Sequence, residues 1–195
     1  MSRPIHMPSI VIGVALAALM AITRGVHATP LNMLPEASWA VFFLAGVFLR
    51  PAWVLPVLLI EAALLDFAAI NFQNVGSFCV SPAYIALIPA YGALWLTGRW
   101  FAGRMAISFR SLGVLAVAVV GSAAIAEIIS SGGFYFFSGR FTDVSLAGFA
   151  PRLAQYFPDN LTAMSLYMGF AALIYVIVVQ MRGLIAGEAR DLNAR

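Results

Sequence analysis

The chain has 195 residues, of which 63% are apolar and only 10% charged, with a mean hydropathy of +0.95; soluble domains carry roughly a quarter charged residues, so this composition excludes one. At about 20 residues per membrane span there is room for five or six helices with short loops, which makes residues 1–195 one membrane-embedded domain. The formal charge of +3 rests on eleven basic residues, all arginine, scattered between apolar runs without forming a basic patch, and this excludes a nucleic-acid surface.

A first apolar run covers residues 8–23, with Arg3 ahead of it and Arg24 closing it. Val26-His27-Ala28 loosely fits a signal-peptide cut, but Arg24 lies between the run and the cut, which favours a retained helix. On that helix Gly13, Ala17 and Ala21 fall at four-residue spacing and form a small-residue stripe suited to close approach of another helix. Residues 25–37 contain two prolines, His27 and Glu36, and read as a connector. A short second run at 38–49 ends at Arg50-Pro51 and turns straight into a third at 51–70, which carries Glu61 and Asp66. Carboxylates at membrane depth are expensive and are functional candidates by default. Asp66, near the helix end and beside Asn71, Gln73 and Asn74, is assigned to a site; Glu61, more than a turn deeper, is expected to be a buried structural group.

The fourth run, at 80–97, opens with Ser81-Pro82, the pattern of a capped helix with proline at its first position. Cys79 is then expected just before that start, where the positive end of the helix dipole favours a thiolate, and Tyr84 lies a little over one turn inside. Beyond Arg99, Arg104 and Arg110, a fifth run at 111–131 contains Glu127 and is expected to break at Ser130-Ser131-Gly132-Gly133. Residues 134–160 read as a long aromatic connector with Arg140 and Arg152, able to anchor at the membrane interface or to close over a ligand as a lid. A sixth run at 161–181 leads into a polar tail. Counting arginines at alternate faces gives eight against three, which places both termini in the cytoplasm. The connectors carrying His27, Cys79 and the aromatic run then share the outer face and enclose one pocket.

Cys79 is the chain's single cysteine, so no internal disulfide or Cys-x-x-Cys site exists. A lone cysteine in a membrane protein is ordinarily an apolar filler, but the polar surroundings of Cys79 point to a soft ligand. One thiolate makes a poor site for a free ion, which takes four protein ligands when structural. It suffices for a metal already held in a macrocycle with an axial position free, and these residues alone do not separate a corrin from a haem. His27 reads as a loop histidine or a ligand contact, and Glu127 as a pathway residue or a helix-to-helix hydrogen bond. There is no GxxxxGK[ST], HExxH or GxSxG pattern. Three other readings stand beside a macrocycle-held metal: a binder of another vitamin that does not need Cys79, a membrane enzyme with Cys79 as nucleophile and His27 as its base, and a structural subunit without a ligand.

The segments LLDFAAINFQNVGSFCVSPAYIAL and RGVHATP, together with six short spans, the first-helix stripe and outer connectors one, three and five, resemble the S-components of energy-coupling factor (ECF) transporters and, more specifically, the BtuM family of bacterial cobalamin transporters. The resemblance implies an all-α, six-transmembrane-helix bundle of ECF S-component type in the bacterial inner membrane, with cytoplasmic termini. It implies cobalamin as the transported ligand, with Cys79 as axial ligand to cobalt and the vitamin's own base displaced. His27, Asp66, Asn74, Phe78 and Tyr84 would line the pocket, and Gly13, Ala17 and Ala21 would meet a membrane coupling module. A thiolate on cobalt would also weaken the bond to the opposite ligand and promote loss of an upper ligand such as cyanide.

Overall fold

The computed structural model describes residues 9–24, 34–72 and 81–193. Among these the chain is helical throughout: α1 (Ser9–Arg24), α2 (Ser38–Phe48), α3 (Val54–Phe72), a 3-10 turn (Pro82–Ala86), α4 (Leu87–Ala102), α5 (Phe109–Phe137) and α6 (Leu146–Asn193). Helices are what an apolar chain must form where no water is available for its backbone N–H and C=O groups. Three of them are long and apolar enough to cross a membrane, at Val54–Phe72, Phe109–Phe137 and Leu146–Gly183, while α1 and α2 are apolar but shorter. The six described helices match the number expected from the apolar runs.

The bundle is organised around α2. Its sequence, SWAVFFLAGVF, is apolar on every side, and such a helix belongs in a core; Ser38, Ala40, Val41, Phe42, Phe43 and Ala45 have no exposure at all. Its main partner is α4, and glycine sets the distance between the two. A Cβ on Gly46 would lie 2.1 Å from the Trp95 carbonyl oxygen, and one on Gly98 would lie 2.1 Å from the Phe43 carbonyl oxygen. The two backbones therefore touch directly, which only glycine at both crossing points permits. This approach brings the Phe42 and Tyr91 rings into a parallel stack, with centroids 4.2 Å apart and planes within 5°.

Three boundaries differ from the sequence expectation. Ser81 does not cap a helix with its side chain; Pro82 instead opens a 3-10 turn, closed by the Tyr84 amide on the Ser81 carbonyl at 2.9 Å, and α4 runs on to Ala102. The expected break at 130–133 is absent, because Ser130 Oγ donates back to the Ala126 carbonyl at 2.8 Å and the glycines serve packing. Gly132 faces the Phe149 ring, and Gly133 lies against Ala86 of the 3-10 turn. The chain turns at Gly139, whose φ of 70° is in the region that favours glycine. The long lid expected at 134–160 contracts accordingly to 138–145, since α6 starts at Leu146 and carries Pro151 and Pro158 inside it. Each proline removes one intrahelical donor, but an apolar setting offers the backbone no alternative to staying helical.

At the Phe48 end of α2 an apolar cavity of about 90 Å³ lies among α2, α5, α6 and the 103–108 turn, bordered by Phe48, Phe101, Met105, Leu115 and Met168. It has no convergent charged groups. The polar chemistry is at the Ser38 end.

Candidate functional site

Arg24 ends α1, and its guanidinium gathers residues from four segments. Nε donates to Asp66 Oδ1 at 2.7 Å and Nη2 to Asp66 Oδ2 at 2.7 Å, a two-pronged pairing whose geometry matches the planar fork of arginine. Nη1 donates to the Tyr91 hydroxyl at 2.7 Å and to Ser38 Oγ at 3.0 Å, and also pairs with Glu36. Tyr84 donates to Asp66 Oδ2 at 2.6 Å, and Ser38 Oγ donates to Glu36 Oε1 at 2.8 Å. Thr23 Oγ1 accepts from the Ala37 amide at 3.2 Å, which ties the end of α1 to the start of α2 a second time.

The cluster is graded from inside to outside. The Arg24 side chain is 10% exposed, that of Asp66 25% and that of Glu36 54%, so the Arg24–Asp66 pair is the structural heart and Glu36 lies at the open side. One guanidinium faces two carboxylates, which leaves this cluster of described residues formally negative. Burial, reinforced by the hydrogen bond to Asp66, pushes the Tyr84 phenol above its ordinary pKa, so Tyr84 is a fixed donor at neutral pH.

Of the residues assigned to a site from sequence, Asp66 and Tyr84 are thus brought together in direct contact. His27, Asn74, Phe78 and Cys79 lie outside the described residues. What the structure describes is the chain on either side of them. Residues 25–33 are flanked by Arg24 and Leu34, and residues 73–80 by Phe72 and Ser81. The Arg24 cluster joins those flanks, with Arg24 and Glu36 from the first connector's borders and Asp66 and Tyr84 from near the second's. The Ser81 hydroxyl, two positions beyond Cys79, is buried and has no hydrogen-bond partner among the described residues. Among the described residues no group of three or more His, Cys, Asp or Glu side chains is placed to hold a metal ion.

Sequence reasoning treated Arg24 as a topology marker and Glu36 as a loop residue, and it passed over Ser38 and Tyr91. The available signal was the arginine itself, since a cation closing an apolar helix next to a carboxylate-bearing one needs a partner. The stripe of Gly13, Ala17 and Ala21 is half-buried, with Gly13 facing Leu49, so part of it is an internal packing surface.

Two further clusters lie on α5 and α6. Glu127 on α5 is fully buried, and both its oxygens accept hydrogen bonds, Oε1 from Ser131 one turn on and Oε2 from Asn160 Nδ2 of α6 at 2.7 Å. It is a helix-to-helix link. Asn160→Ala leaves Oε2 without its donor inside the bundle and is expected to cost about 1–3 kcal/mol, read as a lower thermal midpoint in detergent; a midpoint equal to the parent's would show that the link contributes nothing. In the second cluster the Arg152 guanidinium lies 4.6 Å from the Phe141 ring centroid and 5.5 Å from that of Tyr156, while Tyr135 OH donates to the Asp143 carbonyl at 3.2 Å. These contacts pin the 138–145 turn onto α5 and α6.

No protein-family model matches this chain, and neither does any curated protein sequence.

Proposed function

We propose that this protein binds a cobalamin or related corrinoid at the Arg24 end of the bundle and carries it across a bacterial inner membrane, with the Cys79 thiolate as axial ligand to cobalt. The observation that supports this reading most directly is the Arg24–Asp66–Tyr84 clamp. It draws the borders of the His27 and Cys79 connectors to one place, as a pocket shared by those connectors requires. The buried, unpartnered Ser81 hydroxyl beside the second connector adds a polar group without a protein partner. In this reading the protein's own residues divide the work: Cys79 supplies the soft donor, His27, Asn74 and Phe78 contact the ligand, and Asp66 and Tyr84 hold the floor of the pocket rigid. The bundle is of ECF S-component type with cytoplasmic termini, and the Gly13, Ala17, Ala21 stripe is its meeting surface for a coupling module. A thiolate donates strongly to cobalt and weakens the opposite bond, so an upper cyanide would be lost on binding.

The test is the visible absorption of detergent-purified protein incubated with cyanocobalamin, for the parent and for Cys79→Ala. A shifted corrin spectrum that travels with the parent protein and is lost in the variant is the expected result. Protein that emerges colourless in both cases would sink the proposal.

A further inference from the structure

The cavity at the Phe48 end of α2 lies away from the Arg24 cluster, and its lining changes character along its length. Ile107 and Leu112 on its border are half-exposed, so it opens to the outside of the bundle. The gradient is clearest on α6, which passes Pro35 where Tyr167 donates to that carbonyl at 2.6 Å, so its later residues lie towards the Phe48 end. Met168, Tyr175 and Arg182 are spaced seven apart and therefore follow one another down one face of this helix. Met168 and Tyr175 line the cavity, and Arg182 stands about two turns beyond it. The order is thioether, phenol, guanidinium. Neither the Tyr175 hydroxyl nor the Arg182 guanidinium has a hydrogen-bond or ion-pair partner among the described residues.

Beyond the mouth the described charges are of one sign. Arg50, Arg99, Arg104, Arg110 and Arg182 stand at this end, and none pairs with a carboxylate among the described residues. Arg99 and Arg104 lie over the Trp95 and Trp100 rings and donate to backbone carbonyls. Arg110, next to the Ser111 that lines the cavity, is exposed and has no partner among the described residues. No acidic side chain borders the cavity. Glu61 is on α3, which does not border it either, and is partly exposed at mid-helix, so it is not the buried group expected from sequence. The acids closest to Arg182 in sequence are Glu188 and Asp191, in the last turns of α6. Trp100 and Phe109 are exposed beside these arginines, and such rings mark the headgroup level of a bilayer.

We propose that this cavity takes one acyl chain of an anionic phospholipid, whose phosphate is held by Arg110 and Arg182 while Tyr175 donates to the ester oxygens below it. A space of about 90 Å³ has room for water but offers it few hydrogen-bonding partners, so an apolar guest is the favoured one. A guest with an apolar chain at one end and a fixed negative charge at the other matches the order of groups down α6. The bilayer itself supplies such molecules. The planar fork of arginine suits phosphate oxygens, and basic pockets between membrane helices select anionic headgroups. A zwitterionic phospholipid offers the same chains but brings its own cation to the level of the arginines, so it is the poorer occupant. The site is independent of the corrinoid reading, which concerns the opposite end of the bundle.

The experiment is native mass spectrometry of detergent-purified full-length protein titrated with dioleoylphosphatidylglycerol or dioleoylphosphatidylcholine, with the thermal midpoint followed in parallel and inorganic phosphate as a third probe. The parent is expected to hold one phosphatidylglycerol at least tenfold more tightly than phosphatidylcholine, and its midpoint should rise with the former and not with inorganic phosphate. Arg110→Gln combined with Arg182→Gln should bring the two lipids to within about twofold of each other. Ala172→Phe puts a ring into the cavity and should weaken phosphatidylglycerol at least fivefold with the arginines intact. Equal affinity for the two lipids in the parent, or several copies bound without preference, would overturn the proposal and leave only an unselective lipid shell. A midpoint raised as much by inorganic phosphate would overturn it in favour of a simple anion site. Full preference in the double arginine variant, or unchanged affinity in Ala172→Phe, would overturn it as well. If Ala172→Phe does not fold, dihexanoylphosphatidylglycerol decides: it has the same headgroup with chains too short to fill the cavity, and binding equal to that of the dioleoyl lipid would sink the acyl-chain site.

Discussion

Replacing Arg24 by alanine is expected to remove about a third or more of this protein's stability, and to unfold it if that stability is at the low end of the usual range. Arg24 contacts Asp66, Ser38, Tyr91 and Glu36 at once, and only Glu36 is in a position to turn to solvent. Removing one member of a buried, hydrogen-bonded ion pair costs about 3–5 kcal/mol, since the other charge stays behind without compensation. Folded proteins have in total about 5–15 kcal/mol to lose. Lysine should rescue little, because a single ammonium cannot reproduce the two parallel bonds to Asp66. The measurement is the thermal midpoint and the yield of monodisperse protein in detergent for Arg24→Ala, Asp66→Ala and the double variant. The double variant should be far less damaged than the two single losses added together. Additive losses, or a normal midpoint for Arg24→Ala, would show that the clamp is not what holds the four segments.

Gly98→Ala is expected to be nearly as damaging, for a different reason. The new methyl would meet the Phe43 carbonyl oxygen at 2.1 Å, and backbone cannot rotate out of the way as a side chain can. The helices α2 and α4 must move apart, which opens the tightest seam of the core and loosens the Phe42–Tyr91 stack. Overpacking of this kind costs about 3 kcal/mol. The matching control is Gly113→Ala, where nothing lies within 4 Å of the added carbon and the better helix propensity of alanine makes the change neutral or mildly stabilising. Gly46→Ala acts on the same seam, so combining it with Gly98→Ala should cost less than the sum. A Gly98→Ala midpoint indistinguishable from that of Gly113→Ala would refute the contact between the two backbones.

Apolar length was the most legible feature of the chain. The runs at 8–23 and 38–49 coincide with α1 and α2 to within a residue, because in an apolar chain the helix persists for as long as side chains stay apolar and ends near the first charge. That Asp66 and Tyr84 belong to one polar neighbourhood was legible as well, from the cluster of polar residues around a helix end, but their hydrogen bond was not. The readings that failed depended on rules of soluble proteins. Ser130-Ser131-Gly132-Gly133 would end a helix in water, where serine and glycine find other partners; here the serine hydroxyls bond back into their own helix and the glycines admit neighbours. Pro151 and Pro158 were similarly read as loop residues. Arg24 escaped notice because two of its partners, Asp66 and Tyr91, are 42 and 67 residues away, and no local pattern encodes such a distance. The same is true of Asn160 and Glu127, which are 33 residues apart.

The reach of Arg24 also has a bearing on synthesis. Asp66 follows it by 42 residues and Tyr91 by 67, so at about 5–20 residues per second the arginine waits several seconds on the ribosome for these two partners. During that interval Arg24 has Glu36 and Ser38 within reach but not the two-pronged pairing with Asp66, so α1 cannot take its final place. Docking of α1 is therefore completed only after α3 and α4 have been made, so a helix made before them is locked after them.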